Sequence, residues 1–243
     1  MELSESLRQK VASYRPSAYV RDILNKSQVL LLAAISGGGK DTVKHRLLET
    51  GKYHHIISYT TRQPRENHGV LEQDGVDYHF IDFATVERLL DQGAYIEADI
   101  YAGNVYGTGI ADIELALKEG KIAVTDTTIE GVLQYLELAP SVKAVFLLPP
   151  SYDIWMQRLA KRGDLTDKQD MRLRLEEAVH EIETALSTED VFIVINDDLE
   201  ETIQLVDDIA HNKPVEPHYH KAMVIAENLL AKLKEELAVV ANV

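Results

Sequence analysis

The chain has 243 residues, enough for one large domain or two small ones around a buried core. Its 25 Lys plus Arg against 40 Asp plus Glu give a formal net charge of -15, which argues against general affinity for nucleic acid or anionic membranes. The absence of cysteine excludes disulfides, thiolate catalysis and cysteine-bound metal centres. No secretory signal is visible in residues 1–10, and no apolar stretch reaches the roughly 20 residues of a membrane helix. We therefore expect a cytoplasmic protein.

Short apolar runs alternate along the chain with segments of helical period. Residues 28–35 (QVLLLAAI) are apolar at nearly every position, which is typical of a central parallel strand covered on both faces. Further strands are predicted at residues 56–58, 121–126, 142–148 and 191–195. Helices are predicted at residues 42–50, 110–119, 152–162, 167–186 and 199–210. This alternation predicts an α/β fold with a parallel sheet flanked by helices.

Three regions differ from the alternating core at residues 27–212. Residues 54–109 are rich in Tyr, Gly and polar side chains, with strand-like pieces at 78–81 and 95–99, and we interpret them as an inserted subdomain. Residues 1–26 have a weak amphipathic pattern that predicts one or two helices outside the core. In the segment 213–243, a proline-bounded linker leads to an amphipathic stripe at 221–240. That helix packs on its own domain or forms a homodimer contact, and we favour the first.

A glycine-rich segment, SGGGKDT, lies directly between the first apolar strand and a helical segment. Its glycines allow backbone amides to turn toward phosphate oxygens, and the helix that follows adds its free amides. Lys40 would then reach the β and γ phosphates of ATP. Two positions depart from the consensus phosphate loop, because Ala34 replaces the first glycine and Asp41 occupies the hydroxyl position. The alternative is an ordinary turn with a solvated lysine. The predicted ATP-binding residues of this loop are Ser36, Gly37, Gly38, Gly39, Lys40, Asp41 and Thr42.

A second polar segment, residues 58–65 (SYTTRQPR), carries two arginines on either side of a proline. Arg62 and Arg65 can together hold one phosphate through bidentate hydrogen bonds. The hydroxyls of Tyr78 and Tyr106 can bind the remaining phosphate oxygens. The alternative for both arginines is surface ion pairing with neighbouring acids.

These residues resemble a known family. The segments 58–65, 95–97 (YIE) and 103–108 (GNVYGT) are similar to the Ser-x-Thr-Thr-Arg-x-Pro-Arg, Phe-x-Glu and Gly-Asn-x-Tyr-Gly-Ser/Thr motifs of guanylate kinases. Those enzymes are nucleoside monophosphate kinases of the P-loop NTPase superfamily. Together with the glycine loop and later runs at 148–151, 158–163 and 194–198, the resemblance extends over about residues 28–211 in the family's order.

The resemblance implies roles for the matched residues. Ser58, Glu97 and Thr108 would face the guanine edge, where a carboxylate suits the N1 and N2 donors. Asn196 would contact adenine, with a helix N-cap as its alternative. The remaining GMP-binding residues implied are Arg62, Arg65, Glu72, Tyr78, Tyr106, Asp126 and Thr128. The residues assigned to catalysis are Lys40, Arg62 and the arginines Arg158, Arg162 and Arg174 of a lid over about residues 155–187.

The chain departs from the family's pattern at two places in the acceptor site. Where the family has Asp-x-Asp, this chain has Asp126-Thr127-Thr128. A hydrogen bond to a charged group contributes about 1.5–3 kcal/mol and a neutral one about 0.5–1.5, so Thr128 weakens the expected selection for guanine. Residues 66–71 are inserted between Arg65 and Glu72, and we expect them to reshape the grip on the acceptor phosphate.

The expected reaction is ATP-dependent phosphorylation of GMP or dGMP to the diphosphate by direct in-line transfer. Closure of the subdomain and lid would exclude water, and no general base is needed. Mg²⁺ would enter with ATP, with Asp41, Thr42 and Asp126 as candidate ligands, directly or through water. Two alternatives stay open, namely a kinase of the same fold for another nucleoside monophosphate or ribose bisphosphate, and an inactive protein-binding module.

Overall fold

A computed structural model describes residues 3–67, 69–162 and 168–241 of the chain. Within these ranges, no helix has the length and apolar character needed to span a membrane. The elements in chain order are α1 (Glu5–Ser13), α2 (Ala18–Lys26), β1 (Val29–Ala34), α3 (Lys40–Glu49), β2 (Tyr53–His55), β3 (Tyr59–Thr60), β4 (Glu66–Asn67), β5 (Val70–Leu71), β6 (His79–Phe80), α4 (Phe83–Asp91), β7 (Tyr95–Tyr101), β8 (Asn104–Gly109), α5 (Ala111–Glu119), β9 (Ile122–Asp126), α6 (Ile129–Leu138), β10 (Lys143–Leu148), α7 (Tyr152–Arg162), α8 (Lys168–Ser187), β11 (Val191–Ile195), α9 (Leu199–Ala210) and α10 (Glu216–Ala241).

The chain forms two compact units, each assembled from separate segments. The first unit comprises Met1–Val29, Tyr53–Thr125 and Glu137–Ser141. The second unit comprises Leu30–Lys52, Asp126–Leu136 and Val142–Val243. The glycine loop therefore belongs to the second unit, and the segment with the paired arginines belongs to the first.

The second unit is built on parallel strands, with β10 between β1 and β11. Leu32 of β1 lies opposite Val145, and Phe146 of β10 lies opposite Ile193. Every residue of β1 is buried, which agrees with its apolar sequence, since a parallel strand covered on both faces has no solvent side. The predicted α/β class with a parallel sheet flanked by helices is confirmed.

The C-terminal helix α10 packs on α7, α8 and β11 within the second unit. Its stripe buries Leu229 and Leu233, and Lys234 pairs with Glu183 of α8 at 2.6 Å. The helix begins at Glu216, earlier than the periodicity predicts, because a proline in the first helical turn has no intrahelical hydrogen bond to lose. The stripe thus packs on its own unit, and homodimerisation through this helix stays a prediction.

The first unit contains a parallel pair, β2 with β9, and a four-stranded sheet in the order β6-β3-β8-β7. The strand predicted at residues 56–58 is wrong, because β2 ends at His55. Val124 of β9 lies opposite His55, and its carbonyl accepts from the amide of Ile56 at 2.9 Å. The pairing of β2 with β9 ends there, so the apolar residues from Ile56 onward follow the strand and are not part of it. The sequence does not indicate β2 as a strand, because two of its three residues are the polar His54 and His55.

The N-terminal helices belong to the core of the first unit. Leu7 and Val11 of α1 pack in a buried cluster with α4, β7 and β8 residues, namely Val86, Leu90, Tyr95 and Val105. Ser4 and Ser17 cap α1 and α2 by accepting from the amides of Leu7 and Val20. The Tyr14 hydroxyl donates to the carbonyl of Tyr95 at 2.6 Å. The N-terminal segment therefore supports the sheet that carries the paired-arginine segment.

Candidate active site

The glycine loop connects β1 to α3 in the second unit. Gly37 and Gly39 have φ values of 80° and 98°, which favour glycine. A Cβ on Gly38 would lie 2.8 Å from both the Ala34 Cβ and the Leu147 carbonyl oxygen. The indole of Trp155 fixes the start of the loop by donating to the Ser36 carbonyl at 2.7 Å. Each glycine is therefore required, as a loop that presents backbone amides to an anion demands.

Lys40, the first residue of α3, lies in a cluster of charges. Its Nζ is 2.6 Å from Oδ2 of Asp126 and 3.8 Å from Oδ1 of Asp41. Lys44, one turn later on α3, hydrogen-bonds Oδ1 of the same Asp126. Burial opposes ionisation of Asp126, but the charges of Lys40 and Lys44 outweigh it and hold the pKa at about 2. The sequence does not distinguish Lys44, because a lysine on a helix usually faces solvent.

Asn196 and Arg158 support the glycine loop from β11 and α7. The Asn196 amide donates to the Gly38 carbonyl at 2.8 Å, and Arg158 donates to the Asn196 carbonyl at 2.7 Å. The alternative of Asn196 as a helix N-cap is wrong, because Asp198 caps α9 through the Glu201 amide. Burial lowers the pKa of Arg158. An adenine contact of Asn196 stays a prediction.

The first half of α8 lies over the glycine loop. Arg174 donates to the Ser36 hydroxyl at 3.1 Å, and a cavity of about 260 Å³ separates the loop from Glu177 and Glu181. Burial, with added repulsion from Glu130 and Glu177, raises the pKa of Glu181 to about 7. The predicted lid residue Arg162 ends α7, and its side chain lies outside the part of the chain that the structure describes.

Glu181→Gln should make the protein more stable at pH 8 without changing its stability at pH 5. Between the ordinary pKa of 4.5 and about 7, the folded state holds the Glu181 proton more tightly than the unfolded chain does, and this proton binding stabilises the fold. The wild type loses that stabilisation as the pH rises through 7, whereas Gln has no proton to lose. Allowing for solvent screening, the effect is on the order of 1 kcal/mol, or about 2–4 °C in melting temperature.

Thermal melts at both pH values measure this effect. Glu189→Gln, at an exposed position after α8, is the matched control and should keep the wild-type pH dependence. Equal shifts at pH 5 and pH 8 for Glu181→Gln would contradict a raised pKa.

In the first unit, Arg62 and Glu72 form a bidentate pair. Nη1 and Nη2 of Arg62 contact the two Glu72 carboxylate oxygens at 2.5 and 2.7 Å, and both side chains are only 8% exposed. The hydrogen bonds from Arg62 and the Arg65 amide, opposed by burial, lower the pKa of Glu72 to about 2. The surface ion-pair alternative for Arg62 is thus partly correct, since the acid is Glu72, but the pair is buried.

Within the inserted segment, β4 and β5 pair as antiparallel strands. At its base, the Glu72 amide donates to the Arg65 carbonyl at 2.9 Å, and the Arg65 amide donates to the Glu72 carboxylate at 2.8 Å. These contacts keep Glu72 beside Arg62 across the insertion, and a reshaped grip on the acceptor phosphate stays a prediction.

Two tyrosines border the Arg62 guanidinium. Its Cζ lies 4.9 Å from the ring centre of Tyr78 and 5.6 Å from that of Phe80, and the Tyr106 ring centre is 6.2 Å from that of Tyr78. Arg65 is exposed on the same loop. The structure therefore brings together in one unit the arginines and tyrosines that the sequence assigned to one phosphate.

Glu97, Thr108 and Ser58 form a hydrogen-bonded series next to this cluster. The Thr108 hydroxyl donates to Glu97 at 2.6 Å and lies 3.3 Å from the Ser58 hydroxyl. Glu97 lies opposite Thr108 across the antiparallel pair of β7 and β8, which explains their contact. Burial raises the pKa of Glu97, and the Thr108 hydrogen bond opposes that rise. The result is a series with the Glu97 carboxyl group at one end and the Ser58 hydroxyl at the other, which can bind a planar ligand edge that carries several donors.

Thr128 lies in the second unit at the start of α6. Its hydroxyl accepts from the Gly131 amide at 3.2 Å, as in a helix cap. Among the described residues, no group of three or more His, Asp or Glu side chains has the geometry of a metal site. The roles predicted for Thr128 toward guanine, and for Asp41, Thr42 and Asp126 toward magnesium, stay predictions.

A lysine-bearing glycine loop after a parallel strand, with a separate arginine and tyrosine site on an inserted sheet, defines the class of P-loop nucleoside monophosphate kinases. The family model described as Guanylate kinase matches residues 26–213, so the chain belongs to the guanylate kinase family. It is 36% identical over 178 residues to a guanylate kinase of Thermus thermophilus, covering 73% of this chain and 78% of the relative.

Other relatives agree with this assignment. The guanylate kinase of Neisseria meningitidis serogroup B is 37% identical over 177 residues, covering 72% of this chain and 82% of the relative. The crystal structure of guanylate kinase from Anaplasma phagocytophilum superposes with a TM-score of 0.55 at 27% identity, covering 78% of this chain and 88% of that one. The family match begins after α1 ends and stops before α10 begins.

Proposed function

We propose that this enzyme transfers the γ-phosphoryl group of ATP to GMP, giving ADP and GDP. The second unit would bind the donor phosphates through the glycine-loop amides and Lys40, while the first unit would bind GMP. A phosphate oxygen of GMP is already an anionic nucleophile, so cations and backbone amides suffice, and the chain need supply no general base. Family membership and the two sets of contacts support this proposal.

The observation that carries the choice of guanine is the series Glu97, Thr108 and Ser58. Guanine presents the N1 and N2 donors side by side, and a carboxylate accepts from both, whereas adenine presents an acceptor at N1. The Ser58 hydroxyl, 3.3 Å from the Thr108 hydroxyl, can donate to the guanine carbonyl while Thr108 donates to Glu97. This edge rejects adenine by leaving the Glu97 carboxylate unmatched.

The acceptor phosphate would bind at Arg62 and Arg65. Glu72 holds the Arg62 guanidinium in one orientation, and the neighbouring rings of Tyr78 and Phe80 restrict its rotamers. A guanidinium that is already fixed loses less entropy when it binds phosphate. The Tyr78 and Tyr106 hydroxyls would complete the contacts to the phosphate oxygens.

Magnesium would bind with ATP near the start of α3. Oxygen donors suit this hard cation, and Asp41, with 55% of its side chain exposed, and Thr42 supply them in the first turn of the helix. Both oxygens of Asp126 face lysine ammonium groups, so Asp126 would contribute only after one ammonium has moved away. When bound, the ion would neutralise charge on the donor phosphates.

Steady-state assays with ATP and a panel of acceptors test the proposal. GMP and dGMP should be phosphorylated with the highest kcat/KM, IMP less well because it lacks the N2 donor, and AMP about 10⁴-fold less well, as expected when a buried polar edge is left unpaired. A preference for AMP or ribose bisphosphate would favour the alternative kinase, and binding of GMP without turnover would favour an inactive module. Location in the cytoplasm stays a prediction.

A further inference from the structure

Lys44 is a largely buried cation that the reaction described above does not use. Its side chain is 13% exposed, less than the 31% of Lys40, and it lies on the same face of α3 one turn later. Its ammonium group hydrogen-bonds Oδ1 of Asp126 while Lys40 occupies Oδ2 at 2.6 Å. One carboxylate, itself 22% exposed, therefore holds both ammonium groups.

Lys44 adds a second positive charge beside the two acids that contact Lys40. Asp41 replaces the hydroxyl residue of the consensus loop and lies 3.8 Å from the Lys40 ammonium group. Asp41 and Asp126 bring two negative charges to Lys40, and Lys44 is the second positive charge in the cluster. A chain with an acid at position 41 thus carries an extra lysine on the same helix, three residues further on.

We propose that Lys44 is a positioning residue that keeps Asp126 paired, so that Lys40 can transfer its ammonium group from Asp126 to the donor phosphates. The inference rests on the proposed function, since it concerns how Lys40 becomes available to ATP. In the structure the Lys40 ammonium group is hydrogen-bonded to Asp126, and binding to a donor phosphate requires that this hydrogen bond be broken or shared.

The cost of that exchange depends on what stays with Asp126. A partly buried carboxylate that loses a cation is destabilised, because its remaining solvation does not replace the lost partner. With Lys44 on Oδ1, the carboxylate keeps one ammonium contact after Lys40 leaves Oδ2. Without Lys44, Asp126 would hold Lys40 more tightly, and the fraction of enzyme with Lys40 available to ATP would fall. The apparent affinity for ATP falls by the same factor.

The test is the KM for ATP at saturating GMP in four proteins: wild type, Lys44→Met, Asp126→Asn and the double variant. Lys44→Met should raise the KM for ATP about tenfold and leave the KM for GMP within about twofold. In the Asp126→Asn background no carboxylate is shared by Lys40 and Lys44, so adding Lys44→Met should change the KM for ATP by less than about twofold. Lys44→Arg should restore most of the ATP affinity.

An unchanged KM for ATP in Lys44→Met would overturn the proposal. An equal increase in the wild-type and Asp126→Asn backgrounds would also overturn it, because Lys44 would then act independently of Asp126. Lys26→Met, at an exposed lysine paired with Asp22, is the matched control and should behave as wild type. If Lys44→Met does not fold, Lys44→Gln, which removes the charge but keeps a neutral donor for Oδ1, replaces it and should raise the KM for ATP in the same direction by a smaller factor, again only where Asp126 is present. Absence of GMP phosphorylation by the wild type would instead refute the proposed function.

Discussion

Lys40→Ala should lower kcat for phosphoryl transfer by about 10²–10³ while the protein stays folded. The lysine would neutralise charge on the transferred phosphoryl group, and removing one such preorganised group typically costs about 10²–10³ in kcat. The fold should survive because Asp126 keeps its contact with Lys44 when Lys40 is absent. Steady-state rates with ATP and GMP, together with a thermal melt, measure both effects.

The matched control for this variant is Lys118→Ala, which removes an exposed lysine from the last turn of α5. That variant should keep wild-type kcat. If Lys40→Ala kept a kcat within threefold of the wild type, the glycine loop would not be the donor site. A melting temperature lowered by more than about 10 °C would show that the rate loss comes from unfolding, and Lys40→Met, which keeps the aliphatic stem, would then be measured.

Much of the fold follows from local chemistry that is visible in the sequence. The strand β1 is apolar at every position because both of its faces are covered, and this pattern predicts its place in a parallel sheet. The two serines that cap α1 and α2 are likewise typical helix starts. The helix α6 was missed, because Gly131 near its start resembles a break in the periodicity. In the structure a Cβ at Gly131 would collide with the Thr127 side chain, so this glycine allows a close approach.

The candidate site was predictable where chemistry depends on residue type and spacing alone. Arg62 and the glycine loop could be assigned in this way, because phosphate binding requires guanidinium groups and unobstructed amides. The residues packed around the glycine loop could not be assigned. Trp155 donates to the loop, Glu181 lines the cavity beside it, and Lys44 contacts Asp126 next to Lys40. They come from three different helices, and nothing local distinguishes them from other helical residues. Their roles come from tertiary packing, which brings distant segments of the chain together.

The acceptor site leads to the second large effect. Arg62→Ala should lower kcat/KM for GMP by about 10²–10³ and leave the KM for ATP within threefold, since a charge-assisted bidentate contact to phosphate contributes about 1.5–3 kcal/mol for each hydrogen bond. Lysine is a poor substitute, because it cannot bind Glu72 and phosphate with the planar geometry of a guanidinium. Initial rates over a GMP concentration series at saturating ATP measure the loss.

The Arg62 variant also leaves Glu72 without its bidentate partner, so binding and folding must be separated. An unpaired, largely buried carboxylate costs about 1–3 kcal/mol, and the double variant Arg62→Ala with Glu72→Gln should recover that stability without recovering GMP turnover. Arg88→Ala, which removes an exposed arginine of α4 in the same unit, should retain wild-type kinetics. If the double variant regained turnover together with stability, Arg62 would serve the fold, and the phosphate contact would have to come from Arg65.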